Sequence, residues 1–177
     1  MKQAEFAALV ARHATYPRAI AALLGELEPA ILRDRESPGR WSPLEILVHL
    51  RDEEREDFRD RAQAAAAGRP ITTKIDPVGW VTQRAYNAQD PPTILADFAA
   101  ERRASCAWLE GLESGALERT LEHPQLGTMR CGDFIAAWRM HDLLHLRQLA
   151  TALAVLTARS LVEWRIDYAG QVPSARG

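Results

Sequence analysis

At 177 residues the chain has room for one domain with one substantial core. Its composition, 47% hydrophobic and 26% charged with 10 Gly and 10 Pro, excludes a disordered chain and a fibrous repeat. Lys and Arg number 22 against 24 Asp and Glu, a formal net charge of -2, so no nucleic-acid or anionic-membrane partner is expected: the basic excess that neutralises phosphates is missing.

The N-terminal stretch interrupts its apolar residues with Glu5, Arg12, His13 and Arg18, unlike the continuous hydrophobic core of a signal peptide. No apolar run reaches the roughly 18 residues of a membrane span, and the expected location is the cytoplasm. Cys106 and Cys131 form no CxxC pair and are too few to staple a secreted scaffold, so buried reduced thiols are expected.

Four long segments read as helices. The first runs from about Gln3 to Glu28, and Pro17 predicts a kink near residues 13–17 or two helices meeting there. Trp41-Ser42-Pro43 opens the second: Ser42 suits the cap, Pro43 the first turn, and Glu45 the far side of a capping box. Gly68 is its expected stop. Residues 69–91, with Pro70, Pro77 and Pro91, are mainly connection, with a short helix around Trp80 to Ala88, and a connection this long points to function. The third helix spans about Pro92 to Leu112 and the fourth about Asp133 to Leu156, with two short extended pieces meeting at Gly127 between them. Helices of this length with little strand signal predict a helix bundle, whose core is a common place for a metal.

On the fourth helix His141 and His145 lie about 40° apart around the axis and roughly 5–6 Å along it, close enough to share one ion. Their face is expected to carry Phe134, Ala137, Trp138, Leu144, Gln148, Ala152 and Val155 into the core. Two readings fit: core histidines hydrogen-bonded to neighbours, or ligands of one metal. The HDLLH segment lacks the HExxH glutamate, which excludes a zinc protease. His49 on the second helix shares a face with Glu45, Ile46, Glu53, Glu56 and Asp60. Either this is a solvated stripe, or the buried first turns bring His49 to the ion with Glu45 or Glu53 accepting its free N–H.

The order W-S-P-x-E-x-x-x-H-L from Trp41 to Leu50, HPQLG from His123 to Gly127 and HDLLHLRQL from His141 to Leu149 resembles the DinB/YfiT-like metalloprotein superfamily. The resemblance implies an all-α fold, a four-helix bundle of up-down-down-up arrangement over residues 1–158, with 159–177 a tail packing on or beyond it. It also implies that His49, His141 and His145 bind one divalent ion. His123 is expected to be a turn residue and not a fourth ligand, and His13 receives no role.

Relatives of this kind include thiol-dependent S-transferases and a maleylpyruvate isomerase. The resemblance therefore implies a metal-dependent enzyme of the thiol S-transferase or isomerase type, with a low-molecular-weight thiol as cosubstrate and a small-molecule substrate. A metal-hydroxide hydrolase with Glu53 or Glu45 as base is one alternative. The other is a non-catalytic, stress-associated metal-binding bundle, with Cys106 or Cys131 closing the ion. Three imidazoles suit Zn or Ni first, and Mn or Fe as well. Glu45, Glu53 and Gln148 are the candidates to hold the ligands' free N–H groups. Trp80, Arg84, Tyr86 and Trp138 are the candidates to line a substrate pocket, with Arg147 a second cation for a carboxylate. Leu143 and Leu146 leave apolar surface on the fourth helix, and a homodimer is expected to cover it.

Overall fold

The computed structural model describes residues 3–173. Helices α1 (Gln3–His13) and α2 (Tyr16–Leu24) replace one long first helix, with the break falling at Ala14 and Thr15. Pro17 thereby sits in the first turn of α2, where its missing N–H needs no partner. A short α3 (Pro29–Arg33) follows.

The second bundle helix starts where the capping box places it. The Glu45 amide donates to Ser42 Oγ at 3.1 Å and the Ser42 amide donates to Glu45 Oε2 at 2.8 Å. It comprises α4 (Pro43–Glu53), a π-helical turn over Glu54–Phe58, and α5 (Arg59–Ala67), ending at Gly68 in a left-handed conformation with φ 63°. In the connection, α6 (Pro77–Gln83) begins earlier than expected because the Asp76 side chain accepts from the Gly79 amide at 2.9 Å. A 3-10 turn then covers Tyr86–Ala88. The connection's length is what a bundle with two successive parallel helices requires, since the chain must return along the bundle before the next helix starts.

Asp90 caps α7 (Pro91–Glu110), and strands β1 (Thr120–His123) and β2 (Gly127–Arg130) form a hairpin with Leu121 opposite Met129. Helix α8 (Cys131–Ser160) is 30 residues long, beginning earlier and ending later than its periodicity suggests. Arg159 holds its last turn to the segment after α3, donating to Asp34 Oδ2 at 2.8 Å and to the Arg35 carbonyl at 3.2 Å. Beyond it Trp164 and Tyr168 are exposed, and residues 174–177 of the expected tail lie outside the described residues.

The interior divides into two apolar clusters. Val10, Ala62, Leu109 and Phe134 belong to one, and Ile20, Leu50, Phe98 and Leu149 to the other. On each of the four bundle helices a buried polar residue falls between the two in sequence: His13, Glu54, Arg102 and Asp142. Arg102 joins them into one layer. It donates to Glu54 Oε1 at 2.9 Å, to both Asp142 oxygens at 2.7 and 2.9 Å, and to the His13 carbonyl at 3.1 Å. A buried guanidinium has to be fully paired, and this requirement turns Asp142 to the centre of the bundle.

The buried stripe of α8 is consequently rotated from the expected one. Phe134, Trp138 and Ala152 are buried as predicted, but so are Ile135, Asp142 and Leu149, whereas Leu144 is 49% exposed and Ala137 is exposed too. His141 and His145 stand at the edge of the stripe, facing α4. Among the described residues no helix is long and apolar enough to cross a membrane.

Candidate metal centre

His49 is 4% exposed on α4, and its Nε2 lies 3.2 Å from His141 Nε2 and 3.1 Å from His145 Nε2. All three donor atoms fall within 4.8 Å of one another. Two aromatic rings wall the group. Trp41 lies 4.8 Å from His49 and stacks parallel to His145 at 6.3 Å, while Phe58 lies 4.8 Å from His141.

Burial, reinforced by the neighbouring histidines, pushes the His49 imidazole down to about 2 and the His141 imidazole to about 3. Burial also lowers His145, against an opposing hydrogen bond with Gln148. All three rings are therefore neutral near pH 7. His145 Nδ1 lies 2.8 Å from Gln148 Oε1, an acceptor, so the ring proton sits on Nδ1 and Nε2 presents a bare lone pair. A single proton on His49 Nε2 can satisfy one of its two neighbours, but a cation satisfies all three nitrogens together. The spacing agrees. Two nitrogens each about 2.0–2.1 Å from one ion, at angles from octahedral to tetrahedral, stand roughly 2.8–3.4 Å apart. The donor set fits a divalent metal.

The carboxylates on the His49 face are not a solvated stripe. Glu45 is 1% exposed and Glu53 4%. Glu45 is held by the capping box and by Arg35, which donates to Oε2 at 3.0 Å and to Oε1 at 2.5 Å. It has no remaining role toward His49, whose Nδ1 is buried without a hydrogen-bond partner. Glu53 Oε1 is buried and unpartnered as well, and burial, with Asp57 beside it, raises its carboxyl to about 8.

The π-helical turn explains a contact that an α-helical wheel misses. At about 100° per residue Phe58 falls roughly 180° from His49, away from the site. A π turn inserts one residue and rotates everything beyond it by about 100°, bringing Phe58 to within roughly 80° of His49 and its ring against His141. The same rotation lines up His49, Glu53, Asp57 and Arg61 on one side of the helix.

The other expected site residues are distributed around this centre. Arg84 stacks on Trp80 at 3.9 Å and is consumed by carboxylates, Asp52 at 2.7 Å and Glu56 at 2.8 and 2.9 Å. The Tyr86 hydroxyl donates to Asp52 at 2.8 Å. Trp138 is 1% exposed, donates from its indole to Glu54 at 2.9 Å, and packs its ring on Phe58 and His13. Arg147 is exposed on α8. His123 serves the hairpin turn, its Nδ1 accepting from the Gln125 and Leu126 amides at 3.2 and 3.3 Å. Cys106 and Cys131 are free, buried and outside the histidine group.

Sequence reasoning missed His13, Trp41, Phe58 and Arg102. His13 is 1% exposed, edge-on to Trp138 at 4.7 Å, with Nδ1 3.3 Å from Asp142 Oδ2 but no hydrogen bond there. Trp41 carried a usable signal, because it opens the same W-S-P segment that leads to His49. No periodicity marks the others.

Comparison with known proteins identifies the family and the fold. A curated protein of Oceanobacillus iheyensis, whose name proposes a metal-dependent hydrolase, is 24% identical over 113 residues, 64% of this chain and 65% of its own length. The chain thus spans slightly less than two thirds of that relative. The solved structure of YfiT from Bacillus subtilis, described as a candidate metal-dependent hydrolase with an unusual four-helix bundle topology, superimposes with a TM-score of 0.72 at 16% identity. The superposition covers 86% of this chain and 90% of YfiT, and establishes the shared fold. The DinB superfamily pattern matches residues 13–149, more than half of the sequence, from the buried His13 to the end of the His145 segment: the chain belongs to the DinB superfamily.

Proposed function

We propose that this chain is a metal-dependent enzyme in which His49, His141 and His145 hold one divalent ion, Zn or Ni by preference and Mn or Fe by the same donor chemistry, and that it catalyses hydrolysis. The observation that carries the reading is the convergence of three neutral Nε2 atoms, His49 lying 3.2 and 3.1 Å from the other two. Structural zinc is usually closed by four protein ligands, whereas three histidines leave a position free for a reactant.

Such an ion lowers the pKa of a bound water or thiol and supplies a nucleophile near neutral pH. Gln148 fixes the tautomer of His145, and Trp41 and Phe58 limit the access of bulk water to the imidazoles. Glu53, one helical turn beyond His49 with Oε1 unpartnered and its carboxyl protonated near neutral pH, is the group to give a proton and take it back. Hydrolysis is also the activity proposed in the names of both relatives. The thiol-dependent form, S-transfer or isomerisation with a low-molecular-weight thiol in place of water, is the second reading. It is favoured by the order of the W-S-P, HPQLG and HDLLH segments.

Elemental analysis of protein purified without a chelating tag tests the ligand set. Wild type should carry near one equivalent of metal, and His49→Ala and His141→Ala should both lose it. Retention in His49→Ala would overturn the three-histidine site. Turnover of a chromogenic ester by metal-loaded protein without added thiol supports hydrolysis. A strict requirement for bacillithiol, mycothiol or glutathione would replace it with the thiol-dependent reading.

A further inference from the structure

A cavity of about 640 Å³ opens on the far side of Phe58 from the histidine group, and none of the three histidines is in its lining. Phe58 lines it and touches His141, and Ala137, also in its wall, stands one turn before His141 on α8. Trp80, Arg84, Tyr86 and Trp138 lie outside its lining. The outer walls come from two connections: the strap that includes Ile71 and Lys74, and the hairpin turn at His123 to Leu126. Cavities of roughly 300–1,000 Å³ accommodate small organic ligands, and loops carried on a rigid bundle commonly shape them.

The lining is mainly apolar, with Phe58, Ile71, Met129 and Phe134 contributing, and its polar capacity is unbalanced. Asp57 and Arg61 neutralise each other in an ion pair. The Thr73 hydroxyl is committed to Asp60 Oδ2 at 2.6 Å. Lys74 has no carboxylate partner among the described residues. His123 spends Nδ1 as an acceptor for the turn amides, so its proton sits on Nε2. Beside Thr72 and Gln125, whose side chains can donate or accept, what remains for a ligand is a cation and a neutral N–H donor, with no uncommitted carboxylate to match.

We propose that this cavity is the substrate chamber of the histidine centre and takes a small amphipathic carboxylate, its apolar body against Phe58, Met129 and Phe134 and its anionic end at Lys74 and His123. The chamber's chemistry rests on the metal-dependent reading above, whereas its binding preference does not.

Two measurements separate them. In NMR titrations of metal-free protein, 4-phenylbutyrate should bind at least about tenfold tighter than its neutral amide. Lys74→Ala should reduce the acid to the level of the amide and leave the amide unchanged. Ala137→Phe, which enters the cavity from an exposed position, should weaken both by about tenfold or more. Equal binding of acid and amide, or an acid affinity indifferent to either substitution, overturns the chamber. In the second measurement, the probe's protons should relax faster in Co²⁺-loaded than in Zn²⁺-loaded protein and lose the difference in Ala137→Phe. A bound probe that feels no cobalt overturns the link to the centre. If the acid binds as stated while wild type retains no metal, the metal reading fails alone. If metal is retained but Lys74 is irrelevant, the chamber fails alone.

Discussion

Asp142 stands between the two histidines of the HDLLH segment in sequence, yet its carboxylate is turned to Arg102, accepting from both terminal guanidinium nitrogens at 2.7 and 2.9 Å. Arg102 also holds Glu54 at 2.9 Å. One side chain of α7 thus ties together the two helices that carry the histidines.

Removing Arg102 leaves two buried carboxylates without their cation. Arg102→Met is expected to lose about 3–5 kcal/mol of stability, the usual consequence of breaking a buried ion pair from one side. Arg102→Lys should recover little, because an ammonium cannot reproduce the bidentate fork. Chemical denaturation of metal-free protein measures both; a loss below about 1 kcal/mol would show that the polar layer is not holding the bundle.

Acid should destabilise the metal-free protein from about pH 6.5 downward. His13 and His49 are held down to about 2, His13 chiefly by burial and then by Arg102 and Arg139, and His141 to about 3. In this range the unfolded chain binds protons that the folded chain refuses, so stability rises with pH and falls as the medium is acidified. Each such histidine contributes about 1.4 kcal/mol per pH unit below 6.5. Denaturation at pH 7.5 and 5.5 should show the slope, and His13→Phe should reduce it by one histidine's share.

Glu53 has the opposite sign. Its carboxyl is raised to about 8 by burial and by Asp57, so the stability associated with its folded-state proton is present at low pH and lost as pH rises through 8. Glu53→Gln should stabilise the protein at pH 9 by on the order of 2 kcal/mol, retain metal, and lower turnover by about a hundredfold. Unchanged turnover would remove Glu53 from the proton transfer.

Gln148→Leu takes the acceptor from His145 Nδ1 without touching a proposed ligand. Metal affinity, read by competition with a chromophoric chelator, should fall about 10–100-fold. Adding Zn²⁺ or Ni²⁺ should raise the melting temperature of wild type more than that of the variant at equal free metal. Equal affinities would show that the ring orientation is set by packing alone.

Local chemistry made much of the fold readable. Ser42 and Glu45 satisfy the exposed amides of a helix start, Gly68 supplies a left-handed stop, and Pro17 cannot continue a helix, whatever surrounds them. The i, i+4 spacing of His141 and His145 brings two imidazoles together by helix geometry alone. His49 was legible only through its motif, because its own helical face reads as polar.

Tertiary structure decided the rest. Polarity along a helix cannot show that Glu45 and Glu54 are buried, since each becomes an interior residue only when a cation from another segment, Arg35 or Arg102, arrives to pair with it. The π-helical turn that moves Phe58 to His141 leaves no periodic signature. The sequence by itself determined the helices, their caps and the spacing of the HDLLH pair, all of which depend on residues within one or two turns. Which buried charges meet, how α8 is rotated and what encloses the three imidazoles depend on contacts between segments separated by tens of residues, and those exist only once the bundle has closed.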